Sequence, residues 1–406
     1  MELVYLDNAA TTRPRKEVLE AMLPFFEENY GNPSSIYSIG RAAKNAIDEA
    51  RHKTAKAINA QPSEIVFTGS GTEANNMAIK SVAYKYSNRG KHIITSSVEH
   101  HAVLDSVKYL GKRGFSTTFL PVDSYGMVNP KDVEDSITND TILISIMHAN
   151  NEVGTVQPIK DISEIAKKYG VLFHTDAVQT VGHIPIDVEE LGVDLLSLSG
   201  HKIKGPKGVG ALWIKKGVAL EKFIDGGGQE RNKRAGTENV PGIIGLATAI
   251  ELITEDVQQE AKRLIKLRDY LIKGVMSNIP HVKLNGHPTM RLPGNASFCL
   301  EFIEGESLLL SLDNLGICGS SGSACTSGSL EPSHVLLAMG IPHEIAHGSL
   351  RLSLGYETTI EDIDYVIETL PGIVSRLRAM SPFGAEHLSK ESSCYSKKDR
   401  HLIKSC

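Results

Sequence analysis

The amino-acid sequence predicts an α/β protein: an open, mostly parallel sheet followed by a second, smaller α+β domain. Three observations carry this expectation. Short runs rich in Ile, Val and Leu lack polar–apolar alternation, as strands covered on both faces do. Stretches of helical periodicity separate those runs through most of the first 250 residues, which is the β/α alternation of an open sheet. Beyond about residue 278 the order changes to intermixed short strands and helices.

Taken along the chain, "EIVFTG" (64–69) is the first buried strand and 73–86 the amphipathic helix after it. "HIITSS" (92–97) precedes a helix over 101–113, and "TILISIMH" (141–148) precedes one over 159–169. "VLFHTD" (171–176), "DLLSLS" (194–199) and "VGALWI" (209–214) complete the expected sheet. A long helical pattern runs from Val240 to about Asn278 with a break near Asp256. Then come "NASFCLEF", a helix near 305–315, "GICGSSG", a helix near 332–340, "GSLRLSLG" and a last helix near 359–378. The expected division is a large domain over 15–255, a smaller one from 1–14 and 256–380, and a polar, aperiodic, mobile tail over 381–406. No internal repeat is visible.

Composition narrows the function. Lys and Arg (43) nearly balance Asp and Glu (48), so the net charge of −5 offers no broad basic surface for nucleic acid. A local basic patch stays open. No run approaches the ~20 apolar residues of a membrane span, and "MELVYLDNAATTRPRKEV" lacks the order of a secretory signal. Cys299, Cys318, Cys325, Cys394 and Cys406 are widely spaced and form no CxxC. That argues against a disulfide framework or zinc site and for a reduced, cytoplasmic setting. Cys325 stands apart, because "GSSGSACTSGSLEPSH" (319–334) has no apolar face to bury and reads as a mobile loop.

Ligands of open α/β sheets sit beyond the carboxyl ends of the strands, so polar strand ends are the candidates. "EIVFTG" runs into "SGTEANN", a Gly-rich turn opening a helix. It fits a phosphate cradle of backbone N–H groups and Thr72, and equally a plain helix cap. "VLFHTD" ends in Asp176, followed by Gln179, and "DLLSLS" ends in Ser199-Gly-His201-Lys202. Singly, these fit a cap and a surface lysine. Together they are the parts a pyridoxal phosphate enzyme needs: a lysine for the cofactor aldehyde, a carboxylate for the pyridine nitrogen and a phosphate cup from Gly71, Thr72, Ser199 and His201.

The chain resembles the NifS/IscS family of pyridoxal 5'-phosphate-dependent cysteine desulfurases, NifS-type members above all, over about residues 3–380. The residues that carry the resemblance are "YLDNAATT" (5–12), "GNPSS" (31–35), "SGTEANN" (70–76), "EHHA" (99–102) and "HANNEVGTVQPI" (148–159). They continue with "HTDAVQ" (174–179), "SGHKIKGPKGVG" (199–210), "GGGQERNKRAGTEN" (226–239) and "SSGSACTSGSLEPSHV" (320–335). The resemblance implies the type I pyridoxal phosphate-dependent transferase fold. It implies that Lys202 binds the cofactor covalently, that Asp176 pairs with the ring nitrogen, and that Gln179 bonds the phenolic oxygen. Asn151 also contacts the cofactor, and His100 stacks on its ring and serves as acid or base. Thr237 completes the phosphate cup from the other subunit of a homodimer. Arg351 grips the substrate carboxylate, assisted by Asn32.

The implied reaction converts L-cysteine to L-alanine while sulfur passes to Cys325 as a persulfide. A Gly/Ser arm suits a thiol that must reach the cleft and then an acceptor protein, and the attacking form is the thiolate. The implied acceptor is an iron–sulfur scaffold of the IscU/NifU type, on which Cys325 could transiently ligate a cluster. The same fold also serves selenocysteine lyases and aminotransferases, and a non-catalytic sulfur carrier is a further alternative. Cys318 and Cys299 read as structural, Cys394 and Cys406 as incidental.

Overall fold

A computed structural model describes residues 3–321 and 332–381. The expected mobile arm around Cys325 and the tail with Cys394 and Cys406 lie outside the described residues. A short strand at Val4–Tyr5 (β1) opens the chain. The large sheet follows, built from Ile65–Thr68 (β2), His92–Ser96 (β3), Ser116–Leu120 (β4), Thr141–Ser145 (β5), Leu172–Asp176 (β6), Leu195–Ser199 (β7) and Gly210–Ile214 (β8). Its order is β2-β8-β7-β6-β5-β3-β4. β3 to β7 all pair in parallel, and β8 runs antiparallel to both β7 and β2.

The strands lack alternation because successive side chains enter two different apolar cores. Ile65 and Phe67 pack on one face while Val66 packs on the other, and the same holds for Ile94 against Ile93 and Trp213 against Leu212. The first core includes apolar residues of the helices Ser38–Lys56, Ile159–Tyr169 and Val240–Glu255. The second includes those of Gly71–Lys85 and His101–Gly111. The edge strand β4 escapes recognition in the sequence because "STTFL" is half polar and mostly accessible.

The rest of the chain has its own core, in which Phe298, Leu350 and Leu271 are fully buried. Val282–Leu284 (β9), Asn295–Leu300 (β10), Ile317–Cys318 (β11) and Ser349–Ser353 (β12) are its strands. They form an antiparallel sheet β12-β10-β9 and a parallel pair, β1 with β11. The expected break at Asp256 separates Val240–Glu255 from Val257–Asn278. Because β1 pairs with β11, the residues just after it must pass from this region back toward the large sheet.

A loop over 226–239 folds against the large sheet through a left-handed turn, with φ of 45°, 56° and 64° at Glu230, Arg231 and Asn232. Such backbone is costly for residues with a Cβ. It is held by a buried bidentate pair, Arg51 Nη1 to Glu230 Oε2 at 2.7 Å and Nη2 to Oε1 at 2.8 Å. The Phe67 N–H also donates to Glu230 Oε2 at 2.9 Å. Removing one member of a buried pair strands the other's charge. Arg51→Ala should therefore lower stability by about 3–5 kcal/mol, read from urea unfolding midpoints, and Arg51→Ala with Glu230→Gln should recover part of that loss.

Candidate active site

The parallel strands end on one edge of the sheet, and the segments leaving that edge line an open cavity of about 320 Å³. Gly71, Thr72, His100, Asn151, Asp176, Gln179, Ser199, His201, Lys202 and Arg351 all line it, as do Asn75 and the backbone of Ala9 and Ala10. The expected residues thus converge from six separate stretches of chain.

Asp176 ends β6 and is 6% exposed. Its Oδ1 accepts the Val178 N–H at 2.9 Å and its Oδ2 accepts Asn75 Nδ2 at 2.6 Å. Burial pushes its carboxyl pKa up; the nearby His100, those two hydrogen bonds and Lys202 pull the other way. Asn75 lies one helical turn after Gly71, on the same face. No role attached to Asn75 in the sequence, although it sits inside the "SGTEANN" motif.

Lys202 closes a short 3₁₀ turn, Gly200–Lys202, directly after β7. Its Nζ donates to the carbonyl oxygens of Ala9 at 2.5 Å and Ala10 at 2.7 Å. Gln179 Nε2 donates to the same Ala9 oxygen at 3.0 Å. The N-terminal segment therefore forms one wall of the site, held in place by Thr12 Oγ1 donating to the His201 carbonyl at 2.9 Å.

His100 is the N-cap of the helix His101–Gly111, its Nδ1 accepting the Ala102 N–H at 3.1 Å. It thus caps a helix and lines the cavity at once. Burial lowers its pKa, and an accepting Nδ1 leaves Nε2 as the N–H of the neutral ring. Burial, with Lys202 and Lys207 close by, also holds His201 down to about 4.

Arg351, in β12, donates from Nη1 to the Asn151 carbonyl at 2.9 Å and from Nη2 to Asp7 Oδ1 at 2.8 Å. Next to Asn151, the buried Glu152 accepts a hydrogen bond from Ser333, and burial lifts its pKa to about 7. Asn32 is exposed, makes a local bond to the Ser34 N–H at 2.9 Å and does not line the cavity. Thr237 is likewise exposed and off the cavity of its own chain. Cys325 lies outside the described residues.

The aminotransferase class-V family matches residues 4–366. The chain belongs to that family. It is 60% identical to the cysteine desulfurase IscS of Methanosarcina thermophila over 93% of this chain and 94% of that one. It is 58% identical to the cysteine desulfurase IscS of Dictyoglomus turgidum over 94% of this chain and 97% of that one. Among solved structures, a NifS-like protein superposes with a TM-score of 0.87 at 43% identity, covering 93% of this chain and 100% of the other. A structure of SspA in complex with cysteine superposes at 0.78 with 37% identity, covering 86% and 98%.

Members of the class-V family use pyridoxal 5'-phosphate, and the cavity has the chemistry to hold it. Ser199 Oγ is buried with no hydrogen-bond partner. It stands beside Gly71, where a Cβ would come within 2.7 Å of Val178 Cγ2 and 3.2 Å of Ser199 Cβ. The open N-terminus of the helix Gly71–Lys85 offers unpaired N–H groups to an anion. The buried Asp176 carboxylate suits a protonated ring nitrogen, and Lys202 is an amine that would suit the aldehyde.

Behind His100, the fully buried Glu99 accepts Ser96 Oγ at 2.6 Å and the Met147 N–H at 2.9 Å on Oε1, while Oε2 has no partner. Burial pushes its pKa up to about 8. The unfolded chain releases this proton near its ordinary value of 4.5, the folded protein only at about 8. The group's stabilisation is therefore complete below 4.5 and is lost as pH rises through 8. Glu99→Gln cannot ionise, so its melting temperature relative to the parent should climb between pH 5 and pH 8.5. A gap that stays constant across that range, read by thermal unfolding, would contradict the assignment.

Proposed function

We propose that this chain is a pyridoxal 5'-phosphate-dependent cysteine desulfurase that converts L-cysteine to L-alanine and stores the sulfur on Cys325. The observation that carries the proposal is the convergence of Lys202, Asp176 and Arg351 on one cavity, from β7, β6 and β12. Support comes from relatives named cysteine desulfurase at up to 60% identity across nearly the whole chain.

When bound, the cofactor supplies an electron sink for charge developing at the substrate α-carbon. Lys202 would hold it covalently, Asp176 at the ring nitrogen and Gln179 at the phenolic oxygen. Asn151 would also contact the cofactor, and His100 would stack on the ring. Gly71, Thr72, Ser199 and His201 would hold the phosphate, with Thr237 added by the second subunit of a homodimer. Arg351 binds the substrate carboxylate through its planar fork, whereas Asn32, off the cavity, is not given the assisting role the resemblance implied. Lys202 Nζ moves the α-proton, and His100, neutral at physiological pH, can accept or return a proton at the substrate.

Cys325 attacks the substrate sulfur as a thiolate. An S–S bond forms on Cys325, the substrate C–S bond breaks with its electron pair passing to carbon, and protonation of that carbon completes alanine. The persulfide then goes to an iron–sulfur scaffold of the IscU/NifU type in the cytoplasm, where Cys325 can transiently ligate the nascent cluster. We divide the chain into 15–255, which carries the cofactor site, and 1–14 with 256–380, which carries Arg351 and the cysteine segment. The separate apolar cores support that division.

Cys325→Ala should keep the yellow absorbance of the lysine-bound cofactor while persulfide and sulfide fall below about 1% of the parent, the loss expected for a nucleophile. Full sulfide release by Cys325→Ala with cysteine as the sole thiol would defeat the assignment. Lys202→Ala should bleach the yellow colour.

The homodimer makes a separate prediction, because a composite site predicts complementation. In a mixed dimer of Lys202→Ala and Thr237→Ala subunits, one site carries both lesions and the other neither. Activity should reappear from two impaired parents. Verified heterodimers with no recovery would return Thr237 to its own subunit's site.

A further inference from the structure

Arg351 does not stand alone in the cavity. Its side chain is 5% exposed, and Asp7, at 21%, lies against it with Oδ1 2.8 Å from Nη2. Among the described residues its other partner is the Asn151 carbonyl, and Nε is buried with none. A guanidinium carries five N–H donors in a fixed plane. Two contacts, one on each Nη nitrogen, stop that plane from turning and leave the remaining donors for a ligand.

Asp7 is itself held on the strand that carries Arg351. It bridges Ser353 in parallel, two residues along β12. The Ser353 N–H donates to the Leu6 carbonyl at 2.7 Å, the Asn8 side chain to the Ser353 carbonyl at 2.9 Å, and the Ala9 N–H to Ser353 Oγ at 2.9 Å. Two and three residues after Asp7, the Ala9 and Ala10 carbonyls receive Lys202 Nζ. One short segment therefore fixes both cations of the site, Arg351 through a carboxylate and Lys202 through two carbonyls.

We propose that Asp7 is a positioning residue for substrate recognition: it orients Arg351 so that the free part of the fork meets the substrate carboxylate at a set distance from Lys202. This rests on the desulfurase reading for the identity of the substrate. The opposite role, an internal anion that competes with the substrate for Arg351, makes the opposite prediction. A positioner improves carboxylate binding, and a competitor weakens it. Geometry favours the positioner, because Asp7 occupies a single donor on Nη2 and the Asn151 carbonyl a single donor on Nη1, which leaves the second hydrogens of both Nη nitrogens for a bidentate ligand.

The test uses the cofactor-loaded enzyme and its Asp7→Ala and Asp7→Asn variants, with cofactor absorbance as a check that the Lys202 site is intact. With Asp7→Ala, KM for L-cysteine should rise roughly tenfold or more, the scale of one lost charge-assisted hydrogen bond, while kcat falls far less. Calorimetric binding of 3-mercaptopropanoate, which has a carboxylate but no amine, should weaken by a similar factor. Binding of cysteamine, which has no carboxylate, should change by less than about twofold. Asp7→Asn, of nearly the same shape, should recover part of the loss, and it carries the test alone if Asp7→Ala does not fold. A lower KM would make Asp7 a competitor, and equal losses for 3-mercaptopropanoate and cysteamine would make it a merely structural residue; either result overturns the proposal. If the parent makes no persulfide yet its 3-mercaptopropanoate affinity still depends on Asp7, the desulfurase reading fails and the positioning role stands.

Discussion

The burial of the Asp176 carboxylate is the constraint around which the site is built. An ionised carboxylate removed from water is costly unless donors or a cation replace its hydration. The protein supplies two neutral donors, Val178 N–H from the turn after β6 and Asn75 from the helix Gly71–Lys85. That requirement fixes where the helix must start, and so where its N-terminus and Gly71 meet Ser199. Two donors lower the cost without matching the charge, and the open side of Asp176 faces the cavity. A protonated ring nitrogen placed there would match it. Burial of this carboxylate therefore costs stability that the two donors offset in part within the chain.

Much of the site was legible in the sequence because its parts lie at strand ends. Asp176 and Lys202 each follow an apolar run, and parallel strands ending on one edge bring such residues together whatever the intervening helices do. The registers Asp176↔Ser197 and Ser145↔His174 show how little freedom remains once the strands pair. The β2–β8–β7 corner agrees less simply with a parallel sheet, since β8 reverses direction, but its side chains still divide between the two cores.

What stayed hidden depends on contacts far apart in sequence. Nothing local in "YLDNAATT" shows that Asp7 will meet Arg351, 344 residues away, or that the Ala9 carbonyl will meet Lys202, 193 residues away. Those contacts follow from β1 pairing with β11, a two-residue ladder too short to be seen as a strand pattern. Glu99 was equally invisible as a buried acid, because a Glu beside two histidines looks like a polar helix start. Its burial is decided by the Met147 and Ser96 donors that enclose it.

Long-range contacts of the same kind tie two further segments to the cavity. The backbone of Ser320 pairs with that of Arg351 at 2.6 and 3.0 Å. Ser333 donates to Glu152, and the ring of His334 meets the Glu99 carbonyl at 3.0 Å. Ser320, Ser333 and His334 therefore contact residues that line the cavity or adjoin those that do. Two segments are thus tied to one wall of the cavity: Ser320 through the backbone of Arg351, and the start of the helix His334–Ala338 through Glu152 and Glu99.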